Sequence, residues 1–296
     1  MRSPRPRPRR VSALVLALVL PLALSCVRAG SHPADIRQAA PAVDSATVAL
    51  WHFDEATGVR CADAGPSRIE ATAGYGTHVN YGRFGSAREF ARDIDSFVYA
   101  PNDPAFDPRG GLTVEAWVLV HAFGRYEDTP IAARWNPDAN QQSWLFGVVG
   151  RKLRPPAVPT TGPQVHATFV TLATAGQLVF AFQPQEASQP RGFVSAGRLQ
   201  LERWTHVAVS YDGALVRFFI DGSLDAQYAI HGRIQTSEAP VLIGNAFDTR
   251  RLSSFSGELR LDAAADQTPY YAFEGLIDEL RISDEARMEF PGTGAR

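Results

Sequence analysis

One lysine, Lys152, stands among the 29 basic residues of this 296-residue sequence, and only two cysteines occur, Cys26 and Cys61. So few cysteines exclude a fold stapled by several disulfides. If Cys26 is lipidated or removed with a leader, Cys61 has no partner, and it is expected to be a small buried apolar filler. Beyond the N-terminus no apolar run approaches the ~20 residues of a spanning helix, which argues against a membrane span in the body. Positive charge is also scarce there. Six basic and no acidic residues lie in positions 1–30, so the rest carries 23 basic against 31 acidic residues, a net charge of −8. An acidic body is a poor partner for phosphate backbones, which argues against nucleic-acid binding. Motifs of several reaction classes are missing as well: there is no Gly-x-Ser-x-Gly elbow, no His-Glu-x-x-His zinc motif and no phosphate-cradling glycine loop. The arginine preference itself is compositional background rather than recognition.

What is present begins with an address. Arg2 to Arg10 form a basic segment, Val11 to Leu24 an apolar one broken by Pro21, and small or polar residues follow. The pattern predicts a secretory signal peptide over 1–25. Ala23-Leu24-Ser25-Cys26 resembles a bacterial lipobox, which implies lipidation of Cys26 and export to a membrane surface through a lipid anchor. Soluble secretion, with cleavage after Ala29, is the alternative. Residues 26–44 are rich in Ala and Pro and read as a tether, and 291–296 as a short tail.

Between 45 and 290 short apolar/polar alternations are punctuated by Gly, Pro, Asn and Asp, the pattern of β-strands. The clearest strands are Thr47–Phe53, Thr113–Val120, Trp144–Val149, Thr168–Ala173, Leu178–Phe182, Trp204–Ser210, Val216–Ile220, Val241–Ile243 and Leu276–Ile282. Asp212-Gly213 and Asp221-Gly222 predict tight hairpins on either side of the Val216 strand. Many short strands without an amphipathic helix predict an all-β, antiparallel β-sandwich. Two stretches, Arg151 to Gln164 and Gln183 to Gly197, are expected to lie outside central strands.

Several blocks carry a resemblance. Leu50-Trp51-His52-Phe53-Asp54-Glu55 resembles the opening strand of LamG-like, concanavalin A-like jelly rolls, and Leu112-Thr113-Val114-Glu115-Ala116-Trp117 their Thr-[Ile/Val]-Glu-Ala-Trp strand. Trp204-Thr205-His206-Val207-Ala208 with Tyr211-Asp212-Gly213, then Phe219-Ile220-Asp221-Gly222, Leu242-Ile243-Gly244 and Phe273 to Ser283, follow in the family's order. The family's Ser-Gly-Asn-Gly-Asn type loop is replaced by Asp63 to Glu70, and a long insertion separates Gly244 from Phe273.

The resemblance implies a jelly roll that acts as a non-catalytic binding module for extracellular or envelope polysaccharide, with a protein partner as the alternative. It also implies a structural Ca2+, for which Asp54, Asp63 and Asp278 are the expected ligands; calcium takes six to eight oxygens. Asp93 and Asp95 are expected on one strand face, or as solvated turn acids. Sugar recognition needs exposed aromatics, and Trp135, Tyr270 and Tyr271 are the candidates. His52 and His206 read as structural. Laminarinase-type glucanases of the same class carry Glu-x-Asp-x-Glu on one strand, which sets the carboxylates at ~5–5.5 Å. That motif is missing here, and Asp278-Glu279 with Asp284-Glu285 has the wrong spacing, so a hydrolase or lyase is the lesser alternative.

Overall fold

The computed structural model describes residues 40–290 except 94, 126–127, 137–138, 152–172, 256–257 and 262–270. The expected signal peptide, Cys26, most of the tether, the tail, Tyr270 and all but the last residue of the strand expected at 168–173 lie outside the described residues.

Eight strands form the first sheet: β1 (Thr47–Trp51), β4 (Thr77–Tyr81), β5 (Ser86–Phe90), β7 (Leu112–Val120), β12 (Thr205–Tyr211), β13 (Leu215–Ile220), β14 (Ser223–Ala229) and β18 (Gly275–Ser283). The spatial order is β14-β13-β12-β7-β18-β5-β4, with β1 also on β18. The second sheet runs β11-β10-β9-β8-β15-β6-β3-β2. Its strands are β2 (Arg60–Cys61), β3 (Ala71–Ala73), β6 (Val98–Ala100), β8 (Thr129–Asn136), β9 (Gln141–Val148), β10 (Gln177–Phe182), β11 (Arg191–Arg198) and β15 (Val241–Ile243). A separate hairpin pairs β16 (Leu252–Phe255) with β17 (Glu258–Leu261) inside the long insertion. All the strand pairings within these sheets are antiparallel, the sandwich read from the alternation.

Period-two side-chain alternation sorts the faces. Val114, Ala116 and Val118 of β7 and Val207, Val209 and Tyr211 of β12 meet Phe146 of β9 and Phe180 and Phe182 of β10 in one core. Cys61 is part of that core; burial pushes its thiol up to about 12, so it fills space as an apolar group. Both expected hairpins form. Asp221 and Gly222 take left-handed φ values of 48° and 72°, as a two-residue I′ turn requires, and Gly213 takes 87°.

The opposite face of the first sheet is buried too. His206 Nε2 lies 3.0 Å from Glu115 Oε2, and the Arg281 Nε–H donates to Glu115 Oε1 at 2.7 Å. Burial alone would push the Glu115 carboxyl up, but His206 and Arg281 hold it below its usual range. Phe290 covers this network, with ring centroids 5.3 Å from His206 and 4.8 Å from Phe219. His206 is structural, as its place in an alternating strand implies.

Several strands escape the alternation pattern, β8 and β11 among them. β8 contains Pro130, tolerated because the register slips between Pro130 and Ala132 beside β9. β11 lies in the polar stretch expected outside central strands, and it is an edge strand, which needs only one ladder. Asp93 and Asp95 sit in a turn, where the Asp95 N–H donates to Asp93 Oδ1 at 3.4 Å, rather than on a strand face.

Candidate functional site

The first polar cluster arises where the first sheet divides. On one flank of β18, Gly275–Ile277 pair with β5 and Leu280–Ser283 pair with β1. Asp278 and Glu279 fall between these partners, in a register shift against β7. Glu279 takes φ 53° and Phe53, at the end of β1, takes φ 60°, conformations uncommon for residues other than glycine. Glu279 Oε2 lies 2.6 Å from His52 Nδ1. The Glu279 carboxylate raises the His52 pKa, while burial raises that of Glu279 against His52. The turn between β4 and β5 caps the cluster: the Phe84 N–H donates to Asp278 Oδ2 at 2.9 Å and the Ser86 N–H to Asp54 Oδ1 at 2.8 Å. Asp278 Oδ1 is buried without a hydrogen-bond partner. Burial pushes the Asp278 carboxyl up to about 8, with Glu279 and Asp54 adding repulsion.

The three carboxylates expected to bind calcium are not brought together. Asp63 is taken up by the backbone: the Leu50 and Gly65 N–H groups donate to Oδ1 at 2.9 and 2.6 Å, and the Ile69 N–H donates to Oδ2 at 2.8 Å. Its two oxygens hold the 63–69 turn against β1 and do not fit a metal. Asp54 and Asp278 both face the β4–β5 turn, and the unpartnered oxygen of Asp278 is an acceptor that a hard cation would satisfy. Among the described residues no group of three or more His, Cys, Asp or Glu side chains is placed to hold a metal ion. An ion here would draw its other ligands from backbone carbonyls and water.

The aromatic candidates fare differently from expectation. Trp135 is only 4% exposed and packs with Ala133, Leu145, Val149 and Val179, so its ring offers no open stacking surface. Alternation explains the error: Trp135 shares the face of Ala133, where Leu145 of β9 and Val179 of β10 pack against it. Tyr271 is half-buried, and Tyr270 lies outside the described residues.

A second polar cluster, which no motif announces, lies at the rim of the second sheet. Three segments far apart in sequence line an open cleft of about 510 Å³, within the ~300–1,000 Å³ usual for small-ligand sites. Asn102, Pro104 and Asp107 form one wall around the short 3-10 turn Pro104–Phe106, Asn140 and Gln141 at the start of β9 a second, and Thr236, Ser237 and Glu238 a third. Arg134 fastens the first wall to the third. It is fully buried in β8, and its Nε–H donates to Ala239 O at 3.0 Å, Nη1 to Asp107 Oδ1, and Nη2 to Asn102 Oδ1 at 2.8 Å and to Ser237 O. Around this tied floor, the side chains of Asn140, Gln141, Thr236 and Glu238 make no hydrogen bond among the described residues. The available signal in the sequence was Arg134 itself, a lone charge inside Ile131-Ala132-Ala133-Arg134-Trp135.

Two antiparallel sheets packed face to face place the chain in the all-β sandwich class. The chain belongs to the Concanavalin A-like lectin/glucanases superfamily, whose family model matches residues 92–289. Among solved structures it resembles domain 4 of AbnA, a GH43 extracellular arabinanase from Geobacillus stearothermophilus, in complex with arabinotriose. That match has a TM-score of 0.51 and 17% identity, over 81% of this chain and 93% of that one. It also resembles the binding domain of Paraclostridial Mosquitocidal Protein 1 (TM-score 0.53, 11% identity, 82% of this chain and 49% of that one). A third match is the binding domain of Botulinum Neurotoxin DC in complex with SialylT (TM-score 0.52, 10% identity, 82% and 49%). The chain thus spans about half the length of the toxin binding domains it resembles. At these identities the likeness is one of fold. No curated protein matches the chain.

Proposed function

We propose that this protein is a non-catalytic glycan-binding module of an exported, lipid-anchored protein, tethered through Cys26 and facing extracellular or envelope polysaccharide. The observation that carries the binding part is the rim cleft, where amide, hydroxyl and carboxylate groups without protein partners stand on a floor tied by Arg134. Sugar hydroxyls are matched by such groups, because each can donate, accept or do both. The fold class supports the reading, as does the arabinotriose held by one structural neighbour.

Calcium is the cofactor of this reading, held by Asp54 and Asp278 with backbone and water oxygens. Its support is the unpartnered buried Asp278 Oδ1. The ion would stabilise the β4–β5 turn and has no part in the rim cleft.

The test incubates the full chain with a polysaccharide panel, with and without calcium, and records retained protein and released reducing ends together. Retention without release is expected. Release overturns the non-catalytic assignment, and failure to be retained by any polysaccharide overturns the glycan assignment.

A further inference from the structure

Charge distinguishes the rim cleft from a generic polar depression. Its lining carries two carboxylates, Asp107 and Glu238, and one cation, Arg134. The guanidinium side chain is 1% exposed, and its contacts are the Asp107 carboxylate, Asn102 and the carbonyls of Ser237 and Ala239. It therefore cannot turn outward to meet a ligand anion without abandoning four bonds. Glu238, in contrast, is exposed and without an ion pair or hydrogen bond. A ligand entering the cleft meets negative charge, amides and a hydroxyl, and no accessible positive charge.

Resting on the glycan-binding reading above, we infer that the rim cleft selects uncharged sugars and rejects uronic and sialic acids. The Glu238 carboxylate accepts hydrogen bonds from one or two sugar hydroxyls, and such charge-assisted bonds are the strong ones. Asn140 and Gln141 supply amides that both donate and accept, Thr236 supplies a hydroxyl, and the Pro104 ring gives an apolar wall for the C–H face of a sugar. Asn140 holds φ 53°, a left-handed conformation that asparagine tolerates better than most residues, so the end of the β8–β9 connection is set without glycine. An acidic sugar would bring its carboxylate up to Glu238, while the Arg134 charge is already taken up by Asp107, and like charges so close together repel.

The experiment measures binding of the full chain to neutral oligosaccharides from arabinan, β-glucan, galactan and xylan, and to polygalacturonate oligosaccharides and sialyllactose. At least one neutral oligosaccharide is expected to bind and the acidic ones are not. Glu238→Gln is expected to weaken neutral binding about tenfold and Thr236→Val a few-fold. Glu238→Lys is expected to admit polygalacturonate. Both positions are exposed, so the variants keep the fold, and unchanged thermal unfolding checks this. Neutral binding that all three variants leave unchanged overturns the assignment to this cleft while the glycan reading stands. Acidic sugars bound as tightly as neutral ones overturn the selectivity. No binding by any sugar overturns both readings together.

Discussion

Arg134 and Asp278 are both fully buried ionisable groups, one under the rim cleft and one in the divided first sheet, and they differ in satisfaction. Arg134 gives bonds to four acceptors on two segments, 102–107 and 237–239. Asp278 receives a backbone bond on Oδ2, keeps Oδ1 without a partner and has two further carboxylates nearby. A saturated buried charge is scaffold, since ligand contact would break what holds the fold. An unsaturated one is poised either for a proton or for a cation. The rim cleft thus places its free groups above a satisfied floor, whereas the junction has its unmet demand at its centre.

The sharpest way to break this contrast is to remove the floor. Arg134→Met leaves the Asp107 carboxylate, Asn102 and two carbonyls without their donor. It is expected to cost about 3 kcal/mol of stability in urea unfolding, together with loss of glycan retention. A loss below ~1 kcal/mol would show that the two segments hold one another without it.

Second in size is the junction acid. Asp278 is raised from 3.8 to about 8 in the fold, so the native state keeps a proton that the unfolded chain has released. Its contribution is complete below about pH 4 and is lost as pH rises toward 8. Asp278→Asn is therefore expected to flatten the fall in stability between pH 4 and pH 8 by on the order of 3 kcal/mol, measured in EDTA against the wild type. The comparison must be variant against wild type, because Asp44 and Asp248 are lowered, chiefly by Arg287 and Arg250, and lose their contributions at the acid end. Added calcium is expected to restore high-pH stability in the wild type and not in Asp278→Asn. Equal pH slopes in both proteins would sink the view of Asp278 as an unmet charge.

The two clusters were unequally legible in the sequence. β7, β12, β13 and β18 were readable because their alternation and their Asp-Gly turns are local signals. Asp54 and Asp278 were named through the family resemblance, and the structure turns both toward one hairpin tip. His52 was read as a bare strand histidine, and its bond to Glu279 depends on a bulge 227 residues away in the chain. Asp63 looked like a ligand because sequence cannot show that three backbone N–H groups claim it. Trp135 looked like a platform because aromatic identity does not report burial. The rim cleft was invisible: Asn102, Asn140 and Glu238 share no motif and meet only because β8 ends beside the segments that precede β7 and β15.

A smaller effect sharpens the junction side. His52 is raised by Glu279, so the charged pair is complete below its ordinary pKa near 6.5 and is lost as pH rises through the elevated value. The His52 side chain is one-third exposed, which discounts the pair to about 1 kcal/mol. His52→Gln is expected to lose that amount at pH 5.5 and less at pH 8.5, read from paired unfolding curves. A larger loss at pH 8.5 would contradict the assignment.

The smallest effect bears on whether the hairpin tip belongs to the junction or to the outer face of the sheet. Arg83 stacks its guanidinium over Trp117 at 5.1 Å and over Phe84 at 5.6 Å, and Phe84 meets Trp117 edge-on at 5.9 Å. Trp117 in turn packs on His206 at 5.5 Å. The stack ties the turn that caps Asp278 to the Glu115–His206 network, so one hairpin tip serves both. A partly solvated cation–π contact is worth about 0.5–1 kcal/mol, and Arg83→Ala is expected to lose that much by thermal unfolding. The loss should be independent of calcium, because the backbone N–H groups of Phe84 and Arg83, and not the Arg83 guanidinium, are what meet Asp278. If Arg83→Ala also abolished the calcium response expected of Asp278, the stack would be setting the geometry of the junction, and the two faces of the first sheet would have to be treated as one coupled unit.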